Sequence, residues 1–314
     1  MVNEMAMVQD ASEIAAMSFE DALKALATGA GFDLPRRRIH HPGGMILGML
    51  PGSAAGGMGA YIQTDLNRRI HHETVIVYSV ETGEPLILFQ DCCINELRTG
   101  AAGALGAKYL ARPDARRVAL FGSAVHARMQ LKAASIVRSL THVKVFSPTE
   151  QNRNRCVEKL REELGASVIE PANSAQEALE NADLVITATN SRVPVFDGSL
   201  LEPGMHITSI SNGDAVRTRQ ELDEITIRRS DSIFVTSKET VSTNRSDIFR
   251  ASHDGIIRWD NVHEISELLL GNAAGRSDDR QITLYKLQGI GIMDVAVGMR
   301  AYERLKNSKL VQRL

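Results

Sequence analysis

The feature that most constrains this fold is R-R-V-A-L-F-G-S-A-V-H-A at residues 116–127, an apolar run that stops on a glycine and turns into a helix. Gly122 allows a tight strand-to-helix turn, and small Ser123 and Ala124 let the backbone come close to a ligand. A helix starting near Val125 then aims its free N–H groups and positive dipole end at an anion. Such a turn suits the pyrophosphate of a nicotinamide dinucleotide. The usual spacing is G-x-G-x-x-G/A, and here Ala124 takes the second glycine position, so an ordinary buried strand and turn is the competing reading.

The chain then keeps alternating strand and helix patterns for roughly 170 residues, as an α/β doubly wound sheet requires. An amphipathic segment at 125–139 precedes a strand V-K-V-F-S (143–147), a helix through Leu164, and S-V-I-E at 167–170. A-Q-E-A-L-E-N-A (175–182) reads as helix, and L-V-I-T-A-T (184–189), H-I-T-S-I-S (206–211) and S-I-F-V (232–235) read as strands. These apolar runs lack period-two alternation, which suits parallel strands buried on both faces. The 184–189 strand ends in small residues, as a strand opening onto a ligand crevice at its carboxyl end does.

Before residue 115 the pattern changes to glycine-rich stretches, P-G-G-M and P-G-S-A-A-G-G-M-G, read as loops between short strands. V-I-V-Y-S (75–79) and L-I-L-F (86–89) flank a turn-rich connection and form a hairpin. N-E-L-R-T-G-A-A-G-A-L-G-A-K-Y-L-A (95–111) is a helix whose small residues permit close packing. Arg98 falls in its first turn, where the macrodipole disfavours a cation unless an anion compensates it. That placement points to a carboxylate or phosphate ligand, with a solvated surface arginine as the alternative.

A length of 314 residues allows about two domains, and 43% hydrophobic residues suffice for real cores. The formal net charge of −2 implies no nucleic-acid partner. No apolar stretch of about 18 residues and no basic-then-apolar leader is present, so neither a membrane span nor a secretory signal is expected. Three cysteines, two of them adjacent at 92 and 93, make no disulfide framework, and a reducing cytoplasm is the expected compartment. The pairs His40-His41 and His71-His72 lack metal-ligand spacing, and no metal is expected.

The order of motifs resembles the ornithine cyclodeaminase/μ-crystallin family of NAD(P)-dependent enzymes. The resemblance rests on L-P-R-R-R-I (34–39), M-L-P-G (49–52), L-R-T-G-A-A (97–102), K-Y-L-A (108–111) and the turn at 122–127. It continues through A-D-L-V-I-T-A-T, L-E-P-G-M-H-I (201–207), the E-L-D triplet (221–223) and Y-K-L-Q-G-I-G-I-M-D (285–294). It implies a homodimer with a Rossmann-type domain at 115–286 and an α/β substrate-binding and dimerisation domain at 1–114, completed by 287–314. It also implies that Arg98 fixes the substrate carboxylate, a bidentate role that suits guanidinium. Arg38, or its neighbour Arg37, matches a second carboxylate-contacting arginine. The cofactor set implied is Thr99, Gly122, Ser123, Ala124, Val125, His126, Thr187, Ala188, Thr189 and Gly289.

Two departures from the family pattern bear on the chemistry. Tyr61 stands where the family usually has a lysine, so one hydroxyl of intrinsic pKa about 10 replaces an ammonium. It reads either as a proton donor or as a packed aromatic. At I-S-N-G-D (210–214), Asp214 falls one residue later than the family's acid–base aspartate. If the extra residue bulges before it, the carboxylate still faces the crevice; otherwise Asp214 is a turn or capping residue.

Cofactor choice is read from F-S-P-T-E-Q-N-R (146–153), where NAD-preferring folds usually place an acidic residue. Ser147 and Thr149 can bond a 2′-phosphate and Arg153 can pair with it, which favours NADP(H), although Glu150 is close by. The expected activity is NAD(P)H-dependent reduction of the imine of a small 2-oxo acid, or the reverse oxidative deamination. A dicarboxylic imine such as iminosuccinate is a candidate substrate. An ornithine or lysine cyclodeaminase and a μ-crystallin-like binding protein are the alternatives.

Overall fold

Ten-residue strands in which alternate side chains turn inward lay down the first sheet. Met45–Ala54 shows the pattern most plainly, with Ile46, Gly48, Leu50, Gly52 and Ala54 on the inner face. The computed structural model describes residues 18–66, 70–164, 168–213 and 219–306. Its elements divide between two compact units, one containing Ile14–Arg98 with Gly289–Leu314 and the other Thr99–Gln288.

In the first unit, residues 18–27 form a helix, α1. Six strands follow: β1 (Phe32–Asp33), β2 (Arg37–His40), β3 (Met45–Ala54), β4 (Gly57–Leu66), β5 (Ile70–Ser79) and β6 (Pro85–Gln90). They pair antiparallel in the order β1-β3-β4-β5-β6, with β2 also on β3. The glycines expected to mark a loop at 52, 57 and 59 lie inside β3 and β4 instead. Their role is close approach: a Cβ at Gly52 would lie 2.6 Å from Ile292 Cα, and one at Gly57 would meet Met299 and Val77.

The second unit holds a parallel eight-stranded sheet with helices between its strands. In chain order come α2 (Ile94–Tyr109), β7 (Arg117–Phe121), α3 (Val125–Val137), β8 (His142–Phe146), α4 (Glu150–Leu164) and β9 (Val168–Pro171). Next are α5 (Ala175–Leu179), β10 (Leu184–Thr187), β11 (His206–Ser209), α6 (Glu224–Arg229), β12 (Ser232–Val235), α7 (Lys238–Asn244) and α8 (Asp247–His253). β13 (Val262–Glu264), α9 (Ile265–Leu269) and β14 (Thr283–Lys286) complete it, and α10 (Gly291–Leu305) returns to the first unit, where it packs on β3, β4 and β5. The sheet order is β13-β12-β14-β11-β10-β7-β8-β9. Sequence order reverses between β7 and β10, which makes the carboxyl ends of those two strands the topological switch point. β7 and β10 are buried on both faces, as the unbroken apolar runs require. No helix among the described residues is long and apolar enough to cross a membrane.

The unit boundary lies inside α2, between Arg98 and Thr99, whereas the sequence reading puts it at 114/115; the second boundary is at 288/289 against 286/287. The small residues of α2 explain the difference. A Cβ at Gly100 would lie 2.8 Å from Met129 O, and one at Gly106 would lie 2.8 Å from the Tyr285 ring and 2.9 Å from His206 Nε2. Residues 99–109 therefore pack directly on α3 and the parallel sheet, with Gln130 Nε2 donating to Thr99 O at 2.6 Å.

Candidate functional site

At the switch point, Gly122 adopts φ +119°, a conformation that side chains other than glycine's rarely take. A Cβ there would collide with the carbonyl oxygen of Ala188. Ala124 occupies the N-cap of the thirteen-residue α3 and supplies no side-chain cap bond, so the first-turn N–H groups face outward with the dipole behind them. Val125 is exposed and His126 half-buried in that first turn. A strand-to-helix turn of this kind, with a glycine at its tightest point and no side-chain cap on the helix N-terminus, fits a dinucleotide pyrophosphate.

The strand ends around the crevice are fixed by one buried carboxylate. Glu221 Oε1 accepts from Thr189 N at 2.6 Å and from Thr189 Oγ1 at 2.9 Å. Its Oε2 accepts from Thr187 Oγ1 and Ser209 Oγ, both at 2.8 Å, and from Ser211 N at 3.0 Å. Lys286, fully buried, donates to Ser209 Oγ at 2.7 Å and to Asp247 Oδ2 at 2.9 Å. The hydroxyls of Thr187 and Thr189 are thus committed to Glu221, while the Ala188 carbonyl abuts Gly122. Glu221 belongs to the E-L-D triplet and Lys286 to the Y-K-L-Q motif, whereas Asp247 carries no local sequence signal.

At the end of β8, Ser147 is buried and its hydroxyl accepts from Ser123 Oγ at 3.2 Å. Thr149 is exposed beside it, as is Glu150. Arg153 does not reach outward as expected: it is buried, and Nη1 donates to the Ser147 carbonyl at 2.9 Å. One helical turn on from Thr149 its side chain folds back beneath the turn, so it holds the strand end rather than offering a surface charge.

The first unit carries a second cluster, centred on Arg98. Because α2 begins at Ile94, Arg98 sits past its first turn, and it is buried rather than solvated. Its Nε donates to Asp294 Oδ1 at 3.0 Å and its Nη2 to Asn95 Oδ1 at 2.6 Å. The guanidinium carbon lies 5.9 Å from the centre of the Tyr61 ring. Gly289 backs the same group, since a Cβ there would fall 2.9 Å from Arg98 Cζ. Gly289, expected to contact cofactor, therefore lies against the guanidinium. Burial works against the charge of Arg98, but Asp294 and then Tyr61 outweigh it and raise its pKa. Burial also pushes Asp294 up, against the opposing pull of Arg98.

Backbone alternation separates the three neighbouring arginines. Arg36 and Arg38 are half-buried, while Arg37 is exposed, so Arg37 does not share their environment. Arg36, absent from the expected set, has a buried Nε with no hydrogen-bond partner among the described residues. Its pKa is lowered to about 9 by burial and by the like charges of Arg38 and Arg98.

Tyr61, on the inner face of β4, is 1% exposed, and its hydroxyl donates to Glu73 Oε1 at 2.6 Å. Burial first, and then Glu73, hold the phenol far above its ordinary pKa. Glu73 Oε1 also accepts from Asn95 Nδ2 at 2.9 Å and lies 2.8 Å from His71 Nε2. Neither Glu73 nor Asn95 was legible as a site residue, because the contact depends on the β4–β5 register. Asp214 lies outside the described residues.

The profile of the ornithine cyclodeaminase/mu-crystallin family matches residues 7–309. Delta(1)-pyrroline-2-carboxylate reductase from Bacillus cereus is 30% identical over 243 residues, covering 76% of this chain and 74% of that protein. The Thermococcus litoralis Delta(1)-pyrroline-2-carboxylate reductase, solved with NADH and L-proline, superimposes with a TM-score of 0.88 at 29% identity, covering 96% of this chain and 95% of that one. An archaeal alanine dehydrogenase dimer with bound NAD gives a TM-score of 0.89 at 27% identity, with 96% and 94% coverage.

Proposed function

The chain belongs to the ornithine cyclodeaminase/mu-crystallin family, and on that footing we propose that it is an NAD(P)H-dependent oxidoreductase that interconverts the imine of a small 2-oxo acid and the corresponding amino acid. The observation that carries this reading is Arg98, a buried guanidinium held between Asp294 and Asn95 over the Tyr61 ring. A cation pinned in that way is preorganised to receive a planar carboxylate. The relatives named as Delta(1)-pyrroline-2-carboxylate reductases support it, one of them solved with L-proline and NADH.

When bound, the nicotinamide supplies or accepts the hydride. Gly122 and the α3 N-terminus hold its pyrophosphate, and Glu221 keeps the ends of β10 and β11 in place around it. Arg98 fixes the substrate carboxylate, and Tyr61 exchanges a proton with the nitrogen. Arg36 and Arg38 extend the cationic cluster beyond what one carboxylate needs. A second acid group on the substrate would meet that extra positive charge, so dicarboxylic imines such as iminosuccinate belong among the candidate substrates. Ser147 and Thr149 support use of NADPH. With Arg153 turned inward and Glu150 exposed, however, the cation expected from Arg153 does not add to that preference, and NADH serves as well.

A homodimer fits the outward face of the antiparallel sheet. Ile39, Met45, Met49, Met58, Tyr78 and Leu88 are all exposed there, an apolar surface that a second copy would cover. The archaeal alanine dehydrogenase relative is itself a dimer.

The test is a panel of preformed cyclic imines, iminosuccinate, and 2-oxo acids with ammonia or methylamine, followed by loss of NADH or NADPH absorbance. Oxidation of cofactor that depends on both imine and carboxylate supports the reading. Ammonia release from ornithine or lysine without net cofactor change makes the protein a cyclodeaminase, and tight cofactor binding without turnover makes it a binding protein.

A further inference from the structure

The Tyr61 hydroxyl is sealed from solvent, yet a group that exchanges a proton with substrate must be recharged each turnover. β4 and β5 supply the means. Tyr61 pairs with Val75, Gln63 with Glu73 and Asp65 with His71, so Tyr61, Glu73 and His71 share the inner face of the sheet, stepped toward its edge. Exposure rises along the same line, with side chains 12% exposed at Glu73 and 48% at His71. The three groups are in unbroken hydrogen-bond contact, 2.6 Å from Tyr61 to Glu73 Oε1 and 2.8 Å from there to His71 Nε2.

We propose that Glu73 and His71 form a proton relay between solvent and the Tyr61 hydroxyl; the chemical step it serves rests on the imine-reductase reading above. In the reductive direction the imine carbon takes the hydride, the C=N π electrons move to nitrogen, and nitrogen takes the hydroxyl proton of Tyr61. The phenolic oxygen takes a proton through the Glu73 carboxyl, Glu73 takes one from His71 Nε2, and solvent reprotonates the imidazole. One hydride and one proton are consumed, and the three side chains return to their starting states. In the oxidative direction each proton moves the other way. A histidine at the solvent end suits this duty because its two ring nitrogens let one proton leave toward Glu73 while another arrives from solvent.

The groups around Glu73 keep the relay directed. Asn95 donates to the same Oε1 from α2 at 2.9 Å. Glu96 and Arg98 of α2, Asp294 of α10 and Cys92 just before α2 also act on it electrostatically. Of the titratable groups in this set, Tyr61 and His71 touch the carboxylate, one buried and one at the surface.

The relay is testable in the free protein, without substrate. With tyrosine labelled at Cζ with carbon-13, in mixed H2O and D2O, isotope-split signals report hydroxyl exchange, and Tyr61→Phe identifies the resonance. Exchange at Tyr61 is expected to slow on the order of 10²-fold in His71→Ala, and to recover with added imidazole. His71→Gln, which keeps a hydrogen-bond donor but neither releases nor gains a proton, should be as slow as His71→Ala. Exchange indifferent to both variants, or slowed but not restored by imidazole, overturns the relay. On a working substrate, kcat of His71→Ala should fall with KM unchanged and be rescued by imidazole; a raised KM without rescue also overturns it. Intact exchange behaviour in a protein that reduces no imine refutes the proposed activity and leaves the relay standing.

Discussion

Replacing Arg98 with lysine probes the carboxylate clamp through a defect that can be worked from the geometry. The guanidinium makes two divergent bonds at once, from Nε to Asp294 at 3.0 Å and from Nη2 to Asn95 at 2.6 Å. A lysine ammonium on a flexible stem replaces that planar fork with a point charge and cannot reproduce both bonds while facing a carboxylate edge-on. One charge-assisted bond, worth about 1.5–3 kcal/mol, is forfeited. With the bidentate substrate contact also lost, kcat/KM should drop on the order of 10²-fold, equivalent to about 2.7 kcal/mol. Steady-state kinetics with the best imine of the panel measures this, alongside cofactor titration and circular dichroism, both of which should be unchanged. A variant within about twofold of wild-type kcat/KM would remove Arg98 from the substrate site.

Three further outcomes follow from other parts of the molecule. Gly122→Ala places a Cβ against the Ala188 carbonyl at a positive φ, so NADH affinity, read by fluorescence quenching, should weaken about tenfold or more, and unchanged affinity would place the cofactor elsewhere. Glu221→Gln removes the charge opposite Lys286 and disrupts five hydrogen bonds' common acceptor, so urea unfolding of the cofactor-free protein should show a loss of about 3 kcal/mol. His206, bonded to Thr283 and Thr208 at 2.9 and 3.0 Å, has its pKa lowered from 6.5 to about 3 by burial and then by Arg276 and Arg138. The unfolded chain therefore holds the extra proton within that window, and stability should fall as pH drops through it, by on the order of 1 kcal/mol per pH unit; a His206→Gln variant should show a shallower slope.

Most of the parallel sheet was legible because the strands from β7 to β12 carry their own signals. S-I-F-V at 232–235 and L-V-I-T at 184–187 coincide with β12 and β10, and the Gly122 turn marks the switch point directly. β14, by contrast, reads T-L-Y-K and ends on a lysine, and it is a central strand only because Asp247 and Ser209 neutralise and solvate that ammonium from elsewhere in the chain. In the antiparallel unit, glycine misled, since Gly52 and Gly57 serve the approach of α10 and its side chains and not the turning of a loop. The V-I-V-Y-S and L-I-L-F hairpin matches β5 and β6, whose alternation is local.

Site residues divided along the same line. Arg98 was singled out from its place in a helix and a family motif, but Glu73, Asn95 and Asp294, which contact it or Tyr61, meet through register and tertiary packing. Among 36–38, period-two alternation sets Arg36 and Arg38 apart from Arg37, and choosing the right face required knowing which side of the strand the sheet buries.

The most direct measurement follows the hydride. The protein is incubated with an imine substrate and nicotinamide cofactor deuterated at the transferring position of C4, and the amino-acid product is analysed by mass spectrometry and NMR. One deuterium per product molecule is expected, bonded to the α-carbon, with an equal amount of cofactor oxidised. Product lacking deuterium at the α-carbon, or deuterated cofactor recovered intact after prolonged incubation with every imine of the panel, would contradict it.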